Sequence, residues 1–200
     1  MKKTGKRSFM IALLLALALL IAFVPTPRAL AAEASGECGK DGDNLTWSYS
    51  GGVLTISGEG EMADFEEDSD CPWYDVRDDI ERVELPEGLT SIGDRAFSYC
   101  DGLTAIELPD GLTSIGNRAF NYCESLTALE LPGSLTSIGD GAFARCKKLY
   151  SIELPESIAS IGGNPFSGCE RLTSIRVSLD HPYLATIDGV LFSKPDRRLV

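Results

Sequence analysis

Residues 83–105 read VELPEGLTSIGDRAFSYCDGLTA, and residues 106–128 read IELPDGLTSIGNRAFNYCESLTA. Residues 129–151 (LELPGSLTSIGDGAFARCKKLYS) and 152–174 (IELPESIASIGGNPFSGCERLTS) say almost the same thing again. Cys100, Cys123, Cys146 and Cys169 therefore recur every 23 residues. A fixed period of about 20 to 29 residues marks a solenoid, in which each repeat is one coil stacked on the next. One coil cannot bury its apolar face alone, so the core runs along the stack and each coil touches only its neighbours.

Within one coil, Ile106 and Leu108 alternate with Ala105 and Glu107, the period of two of a strand with one buried face. The leucine before each proline is held extended and the proline has no N–H for a ladder, so the strand ends there. Leu112 and Ile115 point inward as the chain bends round, and Arg118 to Cys123 is expected to form a short helical turn on the far side. Phe97, Phe120, Phe143 and Phe166 recur at one place in the coil and the cysteines at another, which predicts two buried columns. A strand spacing of about 4.8 Å brings stacked cysteines within disulfide range, but side chains in register point the same way. They read as small buried thiols, and a column spreads ligands too far apart to hold a metal.

The ends differ from the repeats. Lys2, Lys3, Lys6 and Arg7 precede the apolar run Phe9 to Val24, and Ala29-Leu30-Ala31 supplies small residues for cleavage. Residues 1–31 thus read as a signal peptide of an exported chain, the apolar run being short for a spanning helix of roughly 18 to 20 residues. Removing them takes away five basic residues and no acid. The formal charge of −12 becomes −17, thirteen basic against thirty acidic residues. So acidic a surface repels phosphate backbones and anionic lipid, which argues against nucleic acid and membrane surfaces as partners and favours basic partners or cations; with the apolar leader removed, no membrane insertion is expected.

Residues 32–79 read as a capping segment, because a solenoid needs cover over its first rung. Two alternating stretches flank Ser50-Gly51-Gly52, a hairpin signal, and Trp47 and Trp73 are natural plugs. Cys38 and Cys71 lie in this segment; in an oxidising compartment they either bridge it or stay as thiols, and their spacing does not choose. Glu59 to Asp70 (EGEMADFEEDSD) has seven acids and no base and reads as a solvated loop.

The pattern L-x-x-I-x-L-P-x-x-L-x-x-I-G-x-x-A-F-x-x-C-x-x over residues 80–177 closely resembles the BspA-like leucine-rich repeats. It departs from the more familiar leucine-rich consensus: where that has Asn or Cys, this chain has Gly88, Gly111, Ser134 and Ser157, so the usual asparagine ladder is missing. The resemblance implies a leucine-rich-repeat right-handed solenoid with a parallel β-sheet on one face, helical turns on the other and an N-terminal β-hairpin cap. It also implies a secreted or cell-surface, extracellular protein, since some BspA-like proteins are associated with adhesion to host or neighbouring-cell proteins. Gly39 to Tyr74 resembles a segment that often precedes these repeats. Residues 178–200 resemble an irregular coil that more chain usually follows, with a turn at Asp188-Gly189 and a new strand at Arg197 to Val200; either this is a short free-standing secreted form or, as the resemblance favours, the protein continues.

Strand parity lines up Glu84, Glu107, Glu130 and Glu153, and then Arg176, on the exposed face, with Arg82 beside the first. Carboxylates about 5 Å apart repel by roughly 1 kcal/mol in water and about 3 kcal/mol at an effective dielectric of 20. This row is the candidate binding face, for an extracellular protein or other cell-surface macromolecule, a basic one by preference. Five rungs present on the order of 300 Å², below the ~800 Å² per partner of a standard interface. The alternatives are a passive spacer within a larger surface protein and, third, a glycan- or calcium-binding module. Tyr99 and Tyr122 share a column on the opposite side, either covering the turns or forming another contact patch. No cofactor is implied. His181 is the single histidine and no nucleophile elbow, zinc signature or phosphate loop occurs, so the chain does not read as an enzyme.

Overall fold

The computed structural model describes residues 34–187, 189–195 and 198–200; the expected signal peptide lies outside them, as do Asp188 and Arg197 of the C-terminal turn and strand. Among the described residues no helix is long and apolar enough to cross a membrane. The chain opens with an antiparallel meander of β1 (Ala34–Gly39), β2 (Gly42–Ser50) and β3 (Val53–Gly58). Gly51 and Gly52, between β2 and β3, both take positive φ (57° and 86°), as the two-residue hairpin turns that match strand twist require.

β3 then pairs in parallel with β5 (Arg82–Glu84), and β4 (Gly60–Glu61) pairs in parallel with β6 (Leu89–Ile92). The N-terminal segment thus supplies one strand to each side of the solenoid and acts as an irregular first coil. The acidic stretch Glu59 to Asp70 is accordingly not the expected solvated loop. Gly60–Glu61 sits in a sheet, Met62 and Phe65 are buried, and Asn44 donates from Nδ2 to the carbonyls of Glu59 (2.9 Å) and Glu61 (3.1 Å).

The continuous sheet is not the one the sequence suggests. It is built by the L-T-S-I segments, where the chain was expected merely to bend: β6, β7 (Ser114–Ile115), β8 (Ser137–Ile138) and β10 (Ser160–Ile161) add in order to β4. The E-L-P side is broken. There β5 pairs only with β3, and β9 (Ser151–Leu154) only with β11 (Ser174–Val177). Between them, residues 103–109 and 126–132 form no strand, and Pro109 and Pro132 are buried.

The far side holds turns, not helices. The only helical stretches among the described residues are two short 3₁₀ turns, Asp68–Asp70 and Tyr74–Asp79. Each coil instead uses two left-handed residues: Arg95, Arg118, Gly141 and Asn164 at one position, and Tyr99, Tyr122, Arg145 and Gly168 at the other. The turns hang on backbone bonds between coils, such as Phe97 N–H to the Ala119 carbonyl and Phe120 N–H to the Ala142 carbonyl, both 2.8 Å.

Inside, Phe97, Phe120 and Phe143 are wholly buried and stack at 5.3 and 5.5 Å, with Phe166, half-buried, 5.8 Å beyond. Trp73 stacks on Phe97 at 5.8 Å, while Trp47 and Phe65 meet it edge-on. Cys100, Cys123 and Cys146 are buried and Cys169 is half-buried; all are free thiols. Cys123, Cys146 and Cys169 donate S–H to the carbonyls of Phe97, Phe120 and Phe143 at 3.1 to 3.2 Å, so the cysteine column ties each coil to the one before it. The C-terminal residues, expected as an irregular coil, form an antiparallel meander of β12 (Leu184–Ile187), β13 (Val190–Ser193) and β14 (Arg198–Leu199).

Candidate interaction surface

Glu84, Glu107, Glu130 and Glu153 occupy equivalent exposed positions in successive coils, each following a buried residue (Val83, Ile106, Leu129, Ile152). The row is bounded at both ends by groups of other chemistry. At the first end, Thr55 donates from Oγ1 to Glu84 Oε2 at 3.3 Å, and Arg82 pairs with Glu84 at 3.1 Å. At the last, Arg176 is the direct cross-strand partner of Glu153.

Strand pairing follows the same boundary. It exists where Glu84 faces Thr55 and where Glu153 faces Arg176, and is absent wherever glutamate would face glutamate. Like charges placed directly opposite destabilise a ladder, and the proline that follows removes a donor from it. The first two coils consequently part into an open depression of about 510 Å³, whose acids are Glu81, Glu84, Glu87, Glu107 and Asp110. Among the described residues no three His, Cys, Asp or Glu side chains gather as a metal site.

Two ladders on the continuous sheet escaped the sequence reading. Asp94 accepts the Asn117 N–H (2.6 Å), Asn117 the Asp140 N–H (2.8 Å), and Asp140 the Gly163 N–H (2.6 Å), each from the next coil. Asp64 begins the series with the Asp94 N–H at 2.8 Å. An Asx ladder therefore exists, displaced from the place the common consensus gives it. Beside it runs the glycine column Gly93, Gly116, Gly139 and Gly162, where backbones touch: a Cβ on Gly139 would lie 2.5 Å from Asn117 N. The I-G-[DN] triplet was the visible signal.

Cys38 and Cys71 are buried free thiols, Cys71 donating to the Ala96 carbonyl at 3.3 Å. Burial pushes Cys38 up to about 11 and Cys71 up to about 12, so both persist as uncharged S–H groups near neutrality.

A model of the BspA type leucine rich repeat region matches residues 74–194 in six copies. The chain belongs to the BspA-type leucine-rich-repeat family. A leucine-rich repeat protein from Eubacterium ventriosum is 27% identical, with a TM-score of 0.62, over 82% of this BspA-type chain and 49% of its own. The leucine-rich repeat protein of T. pallidum is 29% identical, with a TM-score of 0.54, over 76% of this chain and 71% of its own. One from Bacteroides ovatus, 24% identical with a TM-score of 0.52, covers 68% of this chain and 40% of its own and speaks for the fold alone. The BspA-type chain thus spans about half the length of the E. ventriosum structure. Comparison with curated proteins gives no match.

Proposed function

We propose that this BspA-type chain is an exported, cell-surface or secreted repeat protein that binds other proteins, its glutamate row receiving a basic segment of the partner. Export rests on the leader read in residues 1–31. Binding rests on one observation: four exposed carboxylates in consecutive coils, opening into a depression with five acids. Self-repulsion in that row is relieved by a partner's cations, so binding and closure of the broken sheet support each other.

The test is a titration with a basic peptide at rising ionic strength. Affinity should fall as salt rises, and Glu→Gln substitution at Glu84, Glu107, Glu130 and Glu153 together should abolish it. Unchanged binding in that variant would rule out the glutamate row as the binding face, and no binding by the unsubstituted chain would leave the spacer reading. A melting-temperature rise with calcium, lost in the same variant, would instead favour the ion.

A further inference from the structure

The turn side of the coil carries chemistry opposite to that of the glutamate row. Tyr99 and Tyr122 stack with ring centroids 4.4 Å apart and planes within 10°. The Arg77 guanidinium lies 5.2 Å from the Tyr99 ring centre and 3.9 Å from that of Tyr74, and the Arg145 guanidinium lies 4.9 Å from that of Tyr122. Tyrosine and arginine thus succeed one another along the stack.

Most of these residues sit where the backbone disfavours them. Arg95, Tyr99, Arg118, Tyr122 and Arg145 have φ between 54° and 62°. A left-handed residue with a Cβ costs roughly 1–2 kcal/mol, and such strain collects at functional sites. The last coil meets the same need with Asn164 and Gly168, which suit it better. Turn geometry alone therefore does not account for tyrosine and arginine.

The protein's own acidic segment displays what this surface takes. Arg95 donates from Nη1 to the Phe65 carbonyl at 3.0 Å and lies 3.9 Å from Asp68 Oδ1, and Glu66, Glu67 and Asp68 line a groove there with Arg77, Tyr99 and Arg118. One coil further on, a second groove runs between Tyr99, Arg118, Tyr122 and Arg145, and no segment of the described chain fills it. Its one acid, Asp140, is already engaged with the Gly163 N–H. Arg118 forms no ion pair or side-chain hydrogen bond among the described residues, and Arg145 only stacks.

We propose that this second groove docks an extended acidic polypeptide segment of a partner, its carboxylates lying on Arg118 and Arg145 as residues 65–68 lie on Arg95. A guanidinium stacked on a ring keeps its in-plane N–H fork for a carboxylate. The inner faces of Tyr99 and Tyr122 cover each other and the outer faces carry guanidinium groups, so no ring face is left for a sugar. Tyrosine and arginine are also the side chains that dominate protein hot spots.

A labelled glutamate-rich peptide titrated into the full chain, read by fluorescence anisotropy, tests this. The expected result is saturable binding that Arg118→Gln with Arg145→Gln weakens about tenfold or more, and that Glu→Gln changes in the glutamate row do not weaken. Both arginines are solvent-facing, and circular dichroism checks the fold; Arg118→Lys with Arg145→Lys keeps the charge and should still lose most of the affinity, because the fork is gone. Binding that ignores both arginine variants overturns the proposal. So does binding of polygalacturonate in place of the peptide.

Discussion

At the scale of the residue, the two kinds of glycine behave oppositely under substitution. A Cβ on Gly116 would stand 2.6 Å from Asp94 N and 2.7 Å from the Gly93 carbonyl carbon, backbone atoms that cannot swing aside. Gly116→Ala must push two coils apart and should cost about 3 kcal/mol, the upper range for overpacking. Gly141 has φ of 58°, and a Cβ there would meet only side-chain atoms at ordinary contact distance (Ala144 Cβ and Arg118 Cγ, both 3.7 Å), so Gly141→Asn should stay within about 1 kcal/mol. Urea unfolding of the two variants decides this, and equal losses would mean that contact between coils is not what the column protects. The thiols make a second prediction. Burial raises Cys100 and Cys123, and contact with Cys169 together with burial raises Cys146, each above the ordinary value of 9.0. A folded pKa above the unfolded one gives stability that is complete below the unfolded value and is lost as pH rises towards the folded one. The unfolded chain then holds fewer protons, so each such thiol removes about 1.4 kcal/mol per pH unit above pH ~9. Urea midpoints should be flat from pH 7 to 8 and fall beyond 9. Cys123→Ala should fall less steeply; an identical slope would mean that Cys123 plays no part.

At the scale of the element, charge decides which strands pair. Glu130 stands between two glutamates, and Glu130→Arg would give it an opposite charge on either side. The substitution should raise stability by about 0.5–1 kcal/mol and slow amide exchange over residues 128–131 as a strand forms. A drop in the urea midpoint, or exchange left as fast as before, would sink the charge account and leave proline as the cause. This is also where the sequence stops being legible. A repeat identifies equivalent positions, and so the phenylalanine column, the cysteine column and the parity of Ile106 and Glu107 are readable. It does not say what one coil does to the next. The Asx ladder depends on a side-chain oxygen of one coil accepting from an N–H of the next, and Asp94, Asn117 and Asp140 look unremarkable until the coils are stacked. Arg118 to Cys123 reads as a helical turn because Arg118 and Tyr122 are ordinary helix residues; only Gly141, Asn164 and Gly168 in the later coils hint at positive φ.

At the scale of the whole molecule, near-identical coils make the ends the variable part, since each coil is held only by its neighbours. The first coil is closed by Trp73, 1% exposed, which donates from Nε1 to the Ala96 carbonyl at 2.7 Å. The other end is held by polar latches. His181 is wholly buried, with Nε2 3.0 Å from the Pro155 carbonyl, and its Nδ1 accepts the N–H groups of Tyr183 and Leu184, both at 3.1 Å. Nδ1 is thus the bare nitrogen and Nε2 carries the proton. Lys194 donates to the His181 carbonyl at 2.6 Å, and Arg198 to the Ile161 carbonyl at 3.0 Å. His181→Ala strands two backbone N–H groups and one carbonyl, at about 2 kcal/mol. In a one-dimensional stack that loss stays local. Hydrogen exchange should quicken across residues 174–194, while the amides of Phe97, Phe120 and Cys123 keep their protection. Trp73→Ala should do the reverse, releasing the N-terminal coils at a cost of about 3–5 kcal/mol and sparing the C-terminal meander. If both variants instead accelerated every amide alike, the chain would unfold as one cooperative block, and the stability of any surface on it would depend on all of its coils at once.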